Sequence, residues 1–108
     1  MPQLKTSLSQ ETKSVPCIKM LKALADDTRW ALVTELLRRP STVTELTDRL
    51  HATQYNVSKH LRILREAGLI ESTREGKNIR YSVMESLKPR LATNRKHSLD
   101  LGCCRFNF

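Results

Sequence analysis

Three groups of side chains in this 108-residue sequence are spaced so that they could do chemistry. The first is a set of thiols: Cys103 and Cys104 are adjacent near the C-terminus, and Cys17 stands alone near the N-terminus. Thiolates are soft ligands and redox-active nucleophiles, so such a set suits a thiophilic ion or a change of oxidation state. A strain-free bond between neighbouring cysteines is hard to close, and an odd number of cysteines is a poor framework for a secreted fold. The expectation is therefore free thiols acting as ligands or sensors in a reducing compartment. The alternative is that Cys17 is a small buried hydrophobe and the tail pair is incidental. The second group is polar and basic, with Gln54, Tyr55, Asn56, Ser58, Lys59 and Arg62 within one short stretch. The third is a set of cations, Arg74, Lys77 and Arg80, around the sequence Glu75-Gly76-Lys77-Asn78. Amides can pair with adenine edges, cations with guanine and phosphate, and together they could read a polyanion.

The bulk composition agrees. Lys and Arg number 19 against 11 Asp and Glu, a net charge of +8, and residues 52–108 hold eleven of the basic and only five of the acidic side chains. Such an excess favours a polyanionic partner, because neutralising phosphates releases condensed counterions. A basic surface that is merely well solvated would have the same net charge. Catalysis finds no support: there is no Cys-x-x-Cys pair, no Ser/His/Asp or Cys/His signature and no glycine-rich phosphate loop among only three glycines. No stretch approaches the ~18 apolar residues of a membrane span. The segment MPQLKTSLSQETKSVP lacks the apolar run of a secretory signal, so a cytoplasmic protein without membrane contact is expected.

Those side chains need elements to hold them. Residues 1–14 are polar and aperiodic and read as a flexible arm. From Pro16, Ile18, Leu21, Leu24 and Ala25 follow helical spacing. Asp26 reads as the N-cap of a second helix, whose buried face is assigned to Trp30, Val33, Leu36 and Leu37 and which Pro40 ends. Thr42 and Glu45 form an S/T-x-x-E capping box for a short third helix with the apolar stripe Val43, Leu46 and Leu50. After His51-Ala52-Thr53 a fourth helix runs to Gly68, buried along Val57, Leu61, Leu64 and Ala67. At about 100° per residue, Tyr55, Lys59 and Arg62 fall opposite that stripe, with Gln54, Asn56 and Ser58 on its flanks. His60 lies beside the stripe and reads as partly buried and structural.

Two helices joined by a three-residue connection make a helix-turn-helix, and the second has the face of a recognition helix. The period then changes to two, with Ile79, Tyr81 and Val83 alternating against Asn78, Arg80 and Ser82. This predicts a hairpin carrying Arg74, Lys77 and Arg80 near its tip. The fold class expected is mainly α with a small β-hairpin, a winged helix-turn-helix over residues 15–83. Residues 84–108 are left for dimerisation and sensing: 84 to about 100 could be helical despite Pro89, and LGCCRFNF matches no regular element. Phe106 and Phe108 are expected to dock on a groove of the domain or its partner, and a disordered tail is equally compatible with the sequence.

The run LKALADDTRWALVTELLRRPSTVTELTDRLHATQYNVSKHLRILREAGLIESTREGKNIRYSV resembles the ArsR/SmtB family of winged-helix repressors. The match covers about residues 19–83, and LADDTR, VSKHLRILREAGLI and REGKNIRYSV are its most specific parts. The resemblance implies a homodimer on double-stranded DNA at an imperfect inverted repeat, released when an inducer binds. Base contacts carried over are Gln54, Asn56, Ser58 and Lys59, with residues 74–80 on the wing. The family often has proline where this chain has Asp27 and Tyr55, so the operator cannot be borrowed from relatives. The Cys-x-Cys that many arsenic and cadmium sensors carry in the third helix is absent from VTELTDRL, and of the zinc sensors' Asp and His pairs only His97 and Asp100 remain. No cofactor is required by this reading. The inducer it implies is a soft ion such as trivalent arsenic held by Cys17, Cys103 and Cys104. Redox response by the same thiols and a constitutive repressor are the alternatives, as is a winged-helix adaptor for an acidic protein partner.

Overall fold

The computed structural model describes residues 15–88 and 98–108. The expected arm at 1–14 and most of the expected helix after residue 88 lie outside them. In chain order the elements are α1 (Val15–Leu24), α2 (Asp27–Arg38), β1 (Ser41–Thr42), α3 (Val43–Leu50), α4 (Gln54–Glu66), β2 (Ile70–Glu75), β3 (Asn78–Val83), a 3-10 turn (Glu85–Leu87), β4 (Ser98–Asp100) and β5 (Arg105–Asn107). None of these helices is long and apolar enough to cross a membrane.

Local chemistry sets the helix ends. The Asp26 carboxylate accepts from the Arg29 backbone N–H at 3.1 Å and starts α2. At α3 the capping box closes both ways: the Glu45 N–H donates to Thr42 Oγ1 at 3.3 Å and the Thr42 N–H donates to Glu45 Oε1 at 2.9 Å. His51, in the left-handed region at φ 53°, stops α3, and Thr53 caps α4 by accepting from the Asn56 N–H at 3.1 Å. A cap of this kind contributes about 1 kcal/mol, which matters for a helix as short as α3. The end of α4 is a Schellman motif: the Leu69 N–H donates to the Leu64 carbonyl and the Gly68 N–H to the Arg65 carbonyl, both at 3.0 Å, with Gly68 at φ +86°.

α3 and α4 form the helix-turn-helix, packed on α2. A three-stranded antiparallel sheet follows in the order β1-β3-β2, so β3 is central. Ile70 pairs with Val83 at its base, Arg74 with Ile79 near its tip, and Thr42 on β1 with Arg80. The strand β1 is an addition to the sequence reading, which had used Thr42 only as a cap. The core comprises Leu32, Val33, Leu36, Leu46, Val57, Leu61, Leu64, Leu69, Ile70 and Val83, all nearly inaccessible to solvent.

Three expectations need correction. Trp30 is not on the buried face of α2: it is 38% exposed, and Leu32, Val33, Leu36 and Leu37 form that face. The stretch from 84 to about 100, which could be helical within the limit Pro89 sets, is in its described parts a 3-10 turn and, from Ser98, a strand. The last eight residues are not without a regular element, since Arg105–Asn107 is a strand that pairs antiparallel with Ser98–Asp100. This second hairpin forms because apolar Leu99 and Leu101, both buried, join the same hydrophobic cluster as Cys17 on α1.

Candidate nucleic-acid interface and thiol cluster

α4 buries Val57, Leu61 and Leu64 and exposes Gln54, Tyr55, Asn56, Ser58, Lys59 and Arg62, the division that the spacing predicted. Tyr55 is the most exposed of the large hydrophobic side chains among the described residues, at 76%. Among the described residues, the side chains of Gln54, Tyr55, Ser58, Lys59 and Arg62 make no hydrogen bond or ion pair. They are available to a ligand.

His60, next to this face, is structural. Its Nδ1 accepts from Arg29 Nη1 at 3.1 Å, which leaves the neutral ring's proton on Nε2. Burial holds the His60 pKa below its ordinary value; the nearby Asp26 carboxylate opposes this, while Arg29 and Lys59 reinforce it. The Asp26 carboxyl is held below the usual range, first by the Arg29 backbone N–H; partial burial opposes this more strongly than either nearby charge supports it, and Arg29 and His60 add the rest. Arg29 Nε also donates to the Ala23 carbonyl at the end of α1. One arginine thus ties α1, the start of α2 and α4 together. The sequence reading had noted LADDTR without finding this role.

The wing projects beside α4. Its tip is Gly76-Lys77, with Gly76 at φ +60°, the conformation expected of glycine at the first loop position of a II′ turn. Arg74 and Lys77 are exposed and unpaired among the described residues. Arg80 differs from them: Nε donates to Glu75 Oε1 at 3.0 Å, and Nη1 donates to the Pro40 carbonyl at 3.2 Å and Glu45 Oε1 at 3.3 Å. A cleft of about 280 Å³ separates the wing from the helix-turn-helix, bordered by Thr44, Ser58, Lys77, Asn78 and Tyr81.

The thiols also come together. Cys17 on α1 and Cys103, in the four-residue loop between β4 and β5, are joined as a disulfide with Cα atoms 6.3 Å apart across 86 residues of sequence. This corrects the expectation of three free thiols; only Cys104 is free, its Sγ 3.6 Å from that of Cys103. The cause is the fold-back of the second hairpin onto α1, which no local pattern announces. All three sulfurs lie within 4.8 Å of one another, and no carboxylate or imidazole joins them among the described residues. Asp100 is engaged elsewhere, accepting from the Gly102 N–H at 2.9 Å and Arg105 Nη2 at 3.1 Å; His97 lies outside the described residues. Phe108 stacks on Trp30 with ring centroids 4.3 Å apart, and Phe106 meets the same indole edge-on at 5.8 Å. The docking groove expected for these aromatics is therefore the Trp30 face of α2.

Comparison with known proteins decides the family. The model of bacterial regulatory proteins of the arsR family matches residues 26–72, from the cap of α2 into β2. A probable mercury resistance operon repressor of Streptomyces lividans is 37% identical over 97 residues, covering 84% of this chain and 74% of that protein. The chain belongs to the ArsR family. The transcriptional repressor SmtB of Mycobacterium tuberculosis is 39% identical over 67 residues, 62% of this chain, which spans only 50% of that relative. HlyU of Vibrio cholerae, named as a transcriptional activator, has a solved structure with TM-score 0.67 at 32% identity, covering 70% of this chain and 83% of HlyU. The relatives of this ArsR-family chain are thus named as transcriptional regulators of both signs. The family segment contains the whole of α4 but ends before the second hairpin, so Cys103, Cys104, Phe106 and Phe108 lie outside it.

Proposed function

We propose that this chain is a homodimeric transcriptional repressor that grips double-stranded DNA with α4 and the wing and lets go when its thiol cluster binds a thiophilic metalloid such as arsenite. Gln54, Tyr55, Asn56 and Ser58 at the start of α4 face base edges, while Lys59, Arg62, Arg74 and Lys77 face phosphates. Two recognition helices must stand about one DNA turn, ~34 Å, apart to read an inverted repeat, so any change at the dimer interface that alters this spacing weakens binding. The reciprocal holds too: DNA must weaken the inducer by the same factor.

The observation that carries the inducer reading is the convergence of three sulfurs within 4.8 Å from two distant parts of the chain. Once the Cys17–Cys103 bond is reduced, three thiolates without a fourth protein ligand among the described residues suit a trivalent soft centre better than zinc, which takes four ligands in tetrahedral array. The cluster joins α1 to the second hairpin, so ligand binding there bears on elements at both ends of the chain. A second reading has its own support: the Cys17–Cys103 bond makes a thiol–disulfide change an alternative trigger at the same residues.

Fluorescence anisotropy of the reduced protein on DNA from upstream of its own gene tests both. Release by arsenite, lost in a Cys103→Ser/Cys104→Ser double variant that still binds DNA, is the expected result. Release on oxidation but not by arsenite would transfer the trigger to the disulfide. Release by arsenite in the double variant would overturn the role of the tail thiols.

A further inference from the structure

Arg80 sits where the wing, β1 and the helix-turn-helix meet. It lies on the central strand β3, opposite Thr42 on β1 and Thr73 on β2. Its Nε is engaged by Glu75 at the end of β2, and Nη1 by the Pro40 carbonyl before β1 and by Glu45 in the first turn of α3. Glu45 is itself held, because the same Oε1 accepts the Thr42 N–H that completes the capping box. Of the five N–H donors of a guanidinium, Nε–H and both of Nη1 therefore have internal acceptors. Two carboxylates beside one cation also cancel the positive potential that a phosphate would feel. Arg74 and Lys77, by contrast, stand exposed and unpaired among the described residues.

We propose that Arg80 is a positioning residue, a strut that fixes the angle of the wing against α3, and not a phosphate contact. A two-stranded ribbon is marginal by itself, and β1 lends it only two residues, so its outer half needs a further tie. The planar guanidinium holds acceptors in fixed directions from two separate nitrogens, whereas lysine would have to serve all of them from one ammonium on a flexible stem. Fixing the wing in the free protein removes an ordering cost that a loose wing would meet on DNA. The proposal rests on the DNA-binding reading for its consequence but not for its geometry.

The test uses the full chain and the variants Arg80→Gln, Glu75→Gln and Glu45→Gln; glutamine at position 45 keeps the capping box and removes only the charge. Backbone amide exchange and nuclear relaxation are measured first without DNA. A strut predicts faster exchange and larger motion confined to residues 73–80 in Arg80→Gln, with α2 and α4 as in the parent; an unchanged wing there would overturn the proposal. Anisotropy on an operator duplex and a scrambled duplex is then measured against salt. A strut predicts that specific affinity falls in Arg80→Gln, by roughly five- to tenfold for one loosened element. Glu75→Gln keeps the oxygen that accepts from Nε and removes only the charge, so the wing should stay as ordered as in the parent. The salt slope should stay that of the parent in Arg80→Gln, whereas loss of a phosphate contact would flatten it by ~0.9 per protomer. A parent protein that binds both duplexes equally would sink the DNA reading, while the wing dynamics would still decide the strut.

Discussion

Replacing Lys59 by alanine tests the assignment of the interface quantitatively. The structure leaves four cations of the proposed contact set without an internal ion pair, Lys59, Arg62, Arg74 and Lys77, so a dimer would present eight. Each phosphate neutralised on duplex DNA contributes about −0.9 to the slope of log affinity against log salt, which makes the expected slope about −7. Raising salt fourfold, from about 50 to about 200 mM, should then weaken binding by roughly 10⁴. Lys59→Ala in both protomers removes two contacts and brings the slope to about −5.4. The variant therefore loses most at low salt, and the ratio of parent to variant affinity should narrow roughly twelvefold across that fourfold change. Fluorescence anisotropy on one duplex over a series of salt concentrations reads both slopes. Lys59 is exposed and makes no ion pair among the described residues, so the fold should not change, and far-ultraviolet circular dichroism checks this. An affinity ratio that stays constant with salt would refute the phosphate contact, and a parent slope near −2 would refute the interface as a whole.

Other parts of the structure make separate predictions. The Thr47 hydroxyl is buried without a partner among the described residues, so Thr47→Val, which keeps the shape and removes the unsatisfied group, should stabilise the protein by about 1 kcal/mol in urea unfolding. Burial lowers the His60 pKa, so the unfolded chain takes up that proton first. Its contribution is full above about pH 6.5 and declines as the pH falls below that value, and His60→Gln should flatten the fall of the melting temperature below about pH 6.5. The Cys17–Cys103 bond closes a loop of 86 residues, for which chain entropy predicts about 4–5 kcal/mol of stabilisation. Urea midpoints with and without a phosphine reductant measure this, and coincident curves would refute the bond.

Much of the framework was legible because it depends on nearest neighbours. Capping side chains act over three residues, as Asp26 and Thr42 do, and the face of α4 follows from helical spacing alone. The change of period after Gly68 marked the wing for the same reason. Arg80 shows where such reasoning stops. Alternation puts it on the wing beside Arg74 and Lys77, and charge alone makes the three equivalent. Only the approach of Glu45 and the Pro40 carbonyl, from 35 and 40 residues away, distinguishes it. Trp30 was misjudged on similar grounds: the aromatics that cover part of its ring come from residues 106 and 108.

The sequence by itself determined the order of helices, their caps, the helix-turn-helix, the wing and the basic, amide-rich face of α4, because each follows from local propensity and a repeating burial pattern. The tertiary structure alone decided that the C-terminal residues form a hairpin, that this hairpin seats its aromatics on Trp30, and that Cys103 and Cys104 arrive beside Cys17. The physical reason is that those contacts close a chain loop of more than 70 residues. Their energy comes from burying Leu99 and Leu101 in a core assembled by other elements, so no window of neighbouring residues carries the signal.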